Sequence, residues 1–124
     1  MTWFTASVLI AIKSESRADG PFLVYENMYL LEASSALEAS SKAEKFGQGE
    51  MLIDDGLTIN GERASRSFVG IRKLISVSNP EPLDQDEDRP VSGTEVTYAL
   101  YEVADEKALK KLAKGEKVKI TYLE

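Results

Sequence analysis

One segment constrains this chain more than any other: Glu32 to Gly49, EASSALEASSKAEKFGQG, a helix-forming run set between strand-like stretches. Ala, Leu, Glu and Lys are good helix formers. Ser35 and Glu38 have the spacing of a capping box, in which the hydroxyl takes the Glu38 amide and the carboxylate reaches back. Glu38 and Lys42 form a favourable i,i+4 pair. Ala36, Ala39, Ala43 and Phe46, with Leu37 beside them, recur at spacings of three and four and make a narrow stripe of mostly small side chains. Gly47 or Gly49 is expected to supply the left-handed residue that ends the helix. A helix flanked by strands needs a sheet to lie on, so the rest of the fold can be arranged around it.

The stretch Trp3 to Lys13 alternates as a strand. Phe4, Ala6, Val8, Ile10 and Ile12 form an apolar side expected to meet the helix, and Trp3, Thr5, Ser7, Leu9 and Ala11 form a mixed side. Asp19-Gly20-Pro21 marks the turn after it. Phe22 to Ala33 is a second strand, expected to pair antiparallel with the first. Val24, Glu26, Met28 and Leu30 share one side; Leu23, Tyr25, Asn27, Tyr29 and Leu31 share the other. Both sides are largely apolar, which implies a central strand or one whose outer face is covered.

Beyond the helix, Met51 to Asn60 reads as a strand interrupted at Asp54-Asp55-Gly56. Asn60-Gly61 is a strong signal for a type I′ hairpin turn. Ser67 to Ser78 is a long strand, with Gly70 marking a bulge or a close approach. Thr94 to Ala104 and Lys117 to Leu123 read as further strands. Between them, Asp105 caps a short helix, EKALKKLAK, that stops at Gly115. These elements give one α+β domain over residues 1–124: a mainly antiparallel sheet of five or six strands, the long helix on one face, a short C-terminal helix, and residues 105–124 as a C-terminal extension.

Residues 79–93, NPEPLDQDEDRPVSG, form an acidic, proline-rich loop. The net charge of −6 is concentrated there: residues 79–95 carry six acids and one base. An acidic chain without a basic stripe is poorly suited to nucleic acid, because phosphate contacts dominate that affinity. The cluster Lys107, Lys110, Lys111 and Lys114 is the polar side of the short helix and too small to alter this. Without Cys or His, the chain lacks thiol nucleophiles, His bases, disulfides and Cys/His zinc sites. The first apolar run is about ten residues long, too short to span a bilayer, and no basic leader precedes it. The expected setting is the cytoplasm, away from membranes.

The order of segments resembles a family of small bacterial proteins known only as domain of unknown function number 4288. The resemblance is carried by WFTASVLI, by YENMYLLEAS running into SALEASSKAEK, by GER and FVGI after the hairpin, and by GTEVTYAL. It spans Trp3 to Leu100 and implies no established activity, cofactor or catalytic residue. Small acidic bacterial proteins of this kind suggest, by analogy alone, immunity-type or regulatory binders.

Four candidate chemistries follow from the residues. Asp84, Asp86 and Asp88, with Glu95 at the twelfth position, have the spacing of a calcium loop. Arg89 stands where that loop needs Gly, however, and the flanks read as strands, so a solvated acidic loop is the simpler account and no metal site is assigned. Trp3, Tyr25, Tyr29 and Tyr101 are expected on the sheet face away from the long helix. There they are either a surface for a protein partner or a second copy of the chain, or ordinary cross-strand pairs. Glu26, among apolar neighbours, is either an acid–base group or a satisfied carboxylate. Arg63, Arg66 and Arg72 lie near the hairpin, without the glycine cradle of a phosphate site. The expectation is a non-enzymatic interaction module. The alternative is a small-ligand domain with a pocket between the sheet and loop 79–93.

Overall fold

The computed structural model describes residues 2–17, 19–77, 79 and 89–124. Its elements are β1 (Thr2–Ser14), β2 (Leu23–Ala33), α1 (Ala36–Glu50), β3 (Thr58–Ile59), β4 (Glu62–Ser76), β5 (Tyr101–Glu102), α2 (Glu106–Ala113) and β6 (Thr121–Tyr122). The main sheet has the order β2-β1-β4-β3, antiparallel throughout, and β5 and β6 pair separately. The class is α+β as expected, but the main sheet has four strands rather than five or six. The stretches 51–60, 94–104 and 117–123 each contribute only two residues to a strand. Alternating apolar residues make a strand only where a neighbouring backbone is there to bond to. After α1 the chain instead continues as turns, with the amides of Leu52 and Ile53 donating to the carbonyls of Gly49 and Glu50.

The helix begins as its sequence predicts. Ser35 Oγ accepts from the Glu38 amide at 3.1 Å. The Glu38 carboxylate reaches one residue further back than the expected capping box, to Ser34 rather than the Ser35 cap, accepting from its amide at 3.2 Å and from its hydroxyl. Lys42 pairs with Glu38 at 3.2 Å. The buried row is Ala39, Ala43 and Gly47; Ala36 and Leu37 are exposed, and Phe46 is half exposed. Gly47 therefore does not end the helix, which runs on to Glu50. A Cβ at Gly47 would lie 2.4 Å from Phe68 Cδ1 and 3.0 Å from Val8 Cγ1, so glycine is what lets α1 settle onto β1 and β4.

Beneath the helix lie Phe4, Ala6, Val8, Ile10 and Ile12 of β1, with Leu31, Ala33 and Ala64. Asn60 and Gly61 have φ of 52° and 81°, the two positive values of the expected type I′ turn, and they let β4 start at Glu62 rather than Ser67. Against β1, β4 carries two extra residues, Arg72 and Val69, on either side of the Gly70 and Ile71 pairings.

The other face of β1 is also covered: Thr5, Ser7 and Ala11 are buried. Part of the cover is the C-terminal arm. Lys73 Nζ donates to the Tyr98 carbonyl, sits 3.3 Å from the centre of the Tyr98 ring and pairs with Glu124 at 3.0 Å. The Arg72 guanidinium donates to the Glu124 carbonyl and stacks 3.9 Å from the centre of the Tyr122 ring. In the arm, Asp105 caps α2 as expected, accepting from the Ala108 amide at 2.8 Å, and Gly115 has φ 76°.

Candidate interaction surface

The strand order makes β2 an edge rather than a central strand; of the two expectations from its apolar sides, the covered outer face is met in part, where Glu26 and Met28 lie against Tyr98 and Leu100. The direction of its backbone groups follows from two hydrogen bonds. The Val77 amide donates to the Trp3 carbonyl, so Trp3 turns its peptide groups toward β4. Trp3 faces Glu32 across the β1–β2 ladder, so this is a non-bonded pair and Glu32 turns its own groups outward. Lys42 Nζ confirms the direction by donating to the Glu32 carbonyl at 2.7 Å. The register runs unbroken from Ala33 to Leu23, so Val24, Glu26, Met28 and Leu30 present their N–H and C=O groups to the same open edge.

Such an edge is ordinarily blunted by Lys, Pro, a bulge or a covering element. Between Leu23 and Ala33 there is no basic residue and no proline, and the pairing has no bulge. The side chains flanking the edge are apolar on both faces. Leu23, Val24, Tyr25, Met28 and Leu30 are between 44 and 62 % exposed. At one end, Trp3, Leu30, Phe46, Lys42 and Lys45 border a shallow groove of about 530 Å³ between β2 and α1.

Tyr29 anchors the helix side of this edge. It stacks on Phe46 with ring centroids 5.1 Å apart, and its hydroxyl donates to Glu50 Oε1 at 2.7 Å. Burial, and then the bond to Glu50, hold its pKa above the ordinary tyrosine value. Nearby, Arg66 makes a two-pronged bond to Asp55 at 3.0 and 2.9 Å. These bonds lower the Asp55 pKa and raise that of Arg66. The pair ties the turn after α1 to β4.

The four aromatics do not gather on the face away from the helix. Tyr29 packs against α1, and Tyr25 shares its side, since both pair with residues of the helix-facing row of β1. Trp3 belongs to the opposite row. Tyr101 lies in the arm, edge-on to Tyr122 at 5.9 Å. The alternation within β2 was legible; which side met the helix was not, because both sides are apolar. Glu26 is half buried and borders a small cavity with Met28, Arg72 and Tyr98. Arg63, Arg66 and Arg72 do not converge: they engage Glu15, Asp55 and Glu124 respectively. Asp84, Asp86 and Asp88 lie outside the described residues. Among the described residues no group of three or more acids is placed to hold a metal ion, and no helix is long and apolar enough to cross a membrane. The backbone of β2 is the feature that side-chain reasoning missed; the unblunted composition of residues 23–33 was its only signal.

Fold and surface together define a class: an α+β domain whose helix-backed sheet ends in a long, open edge strand. A family model described as domain of unknown function (DUF4288) matches residues 3–88, and the chain belongs to that family. The match takes in β1 to β4 and α1 and ends before GTEVTYAL, short of the Leu100 limit drawn from the sequence. No curated protein and no solved structure matches the chain.

Proposed function

We propose that this protein is a non-enzymatic interaction module that binds a protein partner by adding a strand to β2. The supporting observation is the run of outward backbone groups at Val24, Glu26, Met28 and Leu30, flanked by exposed apolar side chains. In strand addition the main chain supplies affinity and alternate side chains supply selectivity. The absence of cysteine fits a reducing compartment and so a cytoplasmic setting, while a regulatory or immunity-type role and a bacterial origin rest on family analogy alone.

The test is a comparison of baits. Met28→Pro removes an outward amide while leaving the β1–β2 ladder bonds in place. A partner retained from native lysate by the wild-type chain and lost from Met28→Pro is the expected result. Identical partner sets for the two baits would overturn the proposal.

A second reading, small-ligand binding, draws on a cleft of about 360 Å³ bordered by Ile12, Arg17, Phe22, Leu23, Ile59 and Glu62. It lies beside the β1–β2 turn rather than loop 79–93, and its volume is at the lower end for ligand pockets. The Glu62 carboxylate there already accepts from Ser16 and from Ser14, which lowers its pKa.

A further inference from the structure

We infer that the partner on the β2 edge is a second copy of this chain, paired antiparallel about a two-fold axis through Asn27. This rests on the strand-addition reading above and adds the occupant and the register.

The register follows from charge and from Lys42. Only residues with outward groups can form bonded pairs, so even positions must face even positions. The strand's charges are Glu26 and Glu32 alone. An axis through Glu26 would set Glu26 against its own copy, and an axis through Tyr29 would set Glu26 against Glu32; like charges opposed in this way destabilise a sheet. An axis through Met28 would pair Val24 with Glu32, whose carbonyl Lys42 already occupies. An axis through Asn27 avoids all three conflicts, and one through Tyr25, which also avoids them, would bond only Val24 with Glu26 within the strand. Val24 then faces Leu30 and Glu26 faces Met28, twice each, giving about eight backbone bonds because each bonded pair exchanges two.

The side chains agree with this register. On the helix side Tyr25 meets the Tyr29 of the second copy beside Phe46, and Leu23 meets Leu31. Asn27, the polar residue between Tyr25 and Tyr29, has no side-chain partner among the described residues; on the axis its amide faces its own copy. The flanking Leu23, Val24, Tyr25, Met28, Leu30, Phe22 and Phe46 are each at least 42 % exposed. Pairing at the edge would cover the inner sides of these side chains on both faces of the sheet, adding apolar contact to the backbone bonds. The two helices would lie on the same side of one continuous sheet.

The chain has no cysteine, so Asn27→Cys carries a unique thiol. On the axis, the two Cα atoms of a non-bonded pair are about 4.5 Å apart, within the range a disulfide spans. Sedimentation equilibrium of the wild-type chain should give twice the 13.7 kDa of one copy, and Met28→Pro should return it to one. Mild oxidation should cross-link most of Asn27→Cys and little of Met28→Cys. A wild-type chain that stays monomeric up to about millimolar concentration would overturn the inference. So would cross-linking at position 28 in preference to 27. If the wild type is monomeric while Met28→Pro still loses a partner from lysate, strand addition stands and self-pairing falls.

Discussion

β1 and β2 are paired residue for residue and both are mostly apolar, yet outside the buried Leu31 and Ala33 they meet opposite fates. Ile10 is 1 % exposed, and Tyr25, its partner across the ladder, is 62 % exposed. β1 has a strand on each side, a helix above and side chains below. Among the described residues, β2 has a strand on one side only. Place in the strand order, not side-chain character, decides which apolar residues make the core and which are left for a partner.

The contrast should be plainest in truncations. Ile10→Ala is expected to cost about 2–5 kcal/mol, the range for emptying a filled core position. Tyr25→Ala should cost less than about 1 kcal/mol in the isolated chain, as exposed positions do. Urea midpoints would check both, and equal losses would erase the distinction between the strands.

Proline should divide β2 by parity. Asn27→Pro removes an amide that points at β1 and strands the buried Val8 carbonyl, at about 1–3 kcal/mol. Met28→Pro touches only the open edge and should cost clearly less. A reversed order would show that the outward groups belong to the odd residues.

Gly47→Ala tests the helix that separates the two fates. The added methyl meets Phe68 and Val8, an overpacking of about 1–3 kcal/mol, offset by about 1 kcal/mol of better helix propensity. A stabilised Gly47→Ala would mean that α1 rides higher above β1 than described.

The smallest effect concerns the helix side of the edge. The Tyr29 pKa is raised in the folded chain, so its contribution is complete below the unfolded value of about 10 and is lost as pH rises through the folded value. Tyr29→Phe should flatten the alkaline limb of the stability curve. An unchanged limb would show that neither burial nor the bond to Glu50 raises the Tyr29 pKa in the folded chain.

What could be read in advance was local. The Ser35 cap, the Glu38–Lys42 pair, the Asn60-Gly61 turn and the Asp105 cap each depend on residues within four positions of one another. The alternation of Tyr25 and Tyr29 against Val24 and Met28 was also readable. Its orientation was not, because it depends on how β2 registers with β1 and on which face α1 covers. The same limit applies to Tyr98 to Leu100. The run has the pattern of a strand, but Lys73 and Arg72, far away in sequence, draw that region over the sheet.

The extra residues of β4 act as a pair of compensating frameshifts. Phe4 and Ala6 meet Ser76 and Leu74; past Arg72 the count changes to odd at Ile71; past Val69 it returns to even at Phe68, Arg66 and Ala64. Because residue 69 has no partner on β1, deleting it alone would close the bulge and leave that last trio opposite Ile10, Ile12 and Ser14, whereas deleting a paired residue would force its neighbours on one side onto the other face. Single deletions in this strand should therefore be tolerated at residues 69 and 72 and rejected at the paired positions.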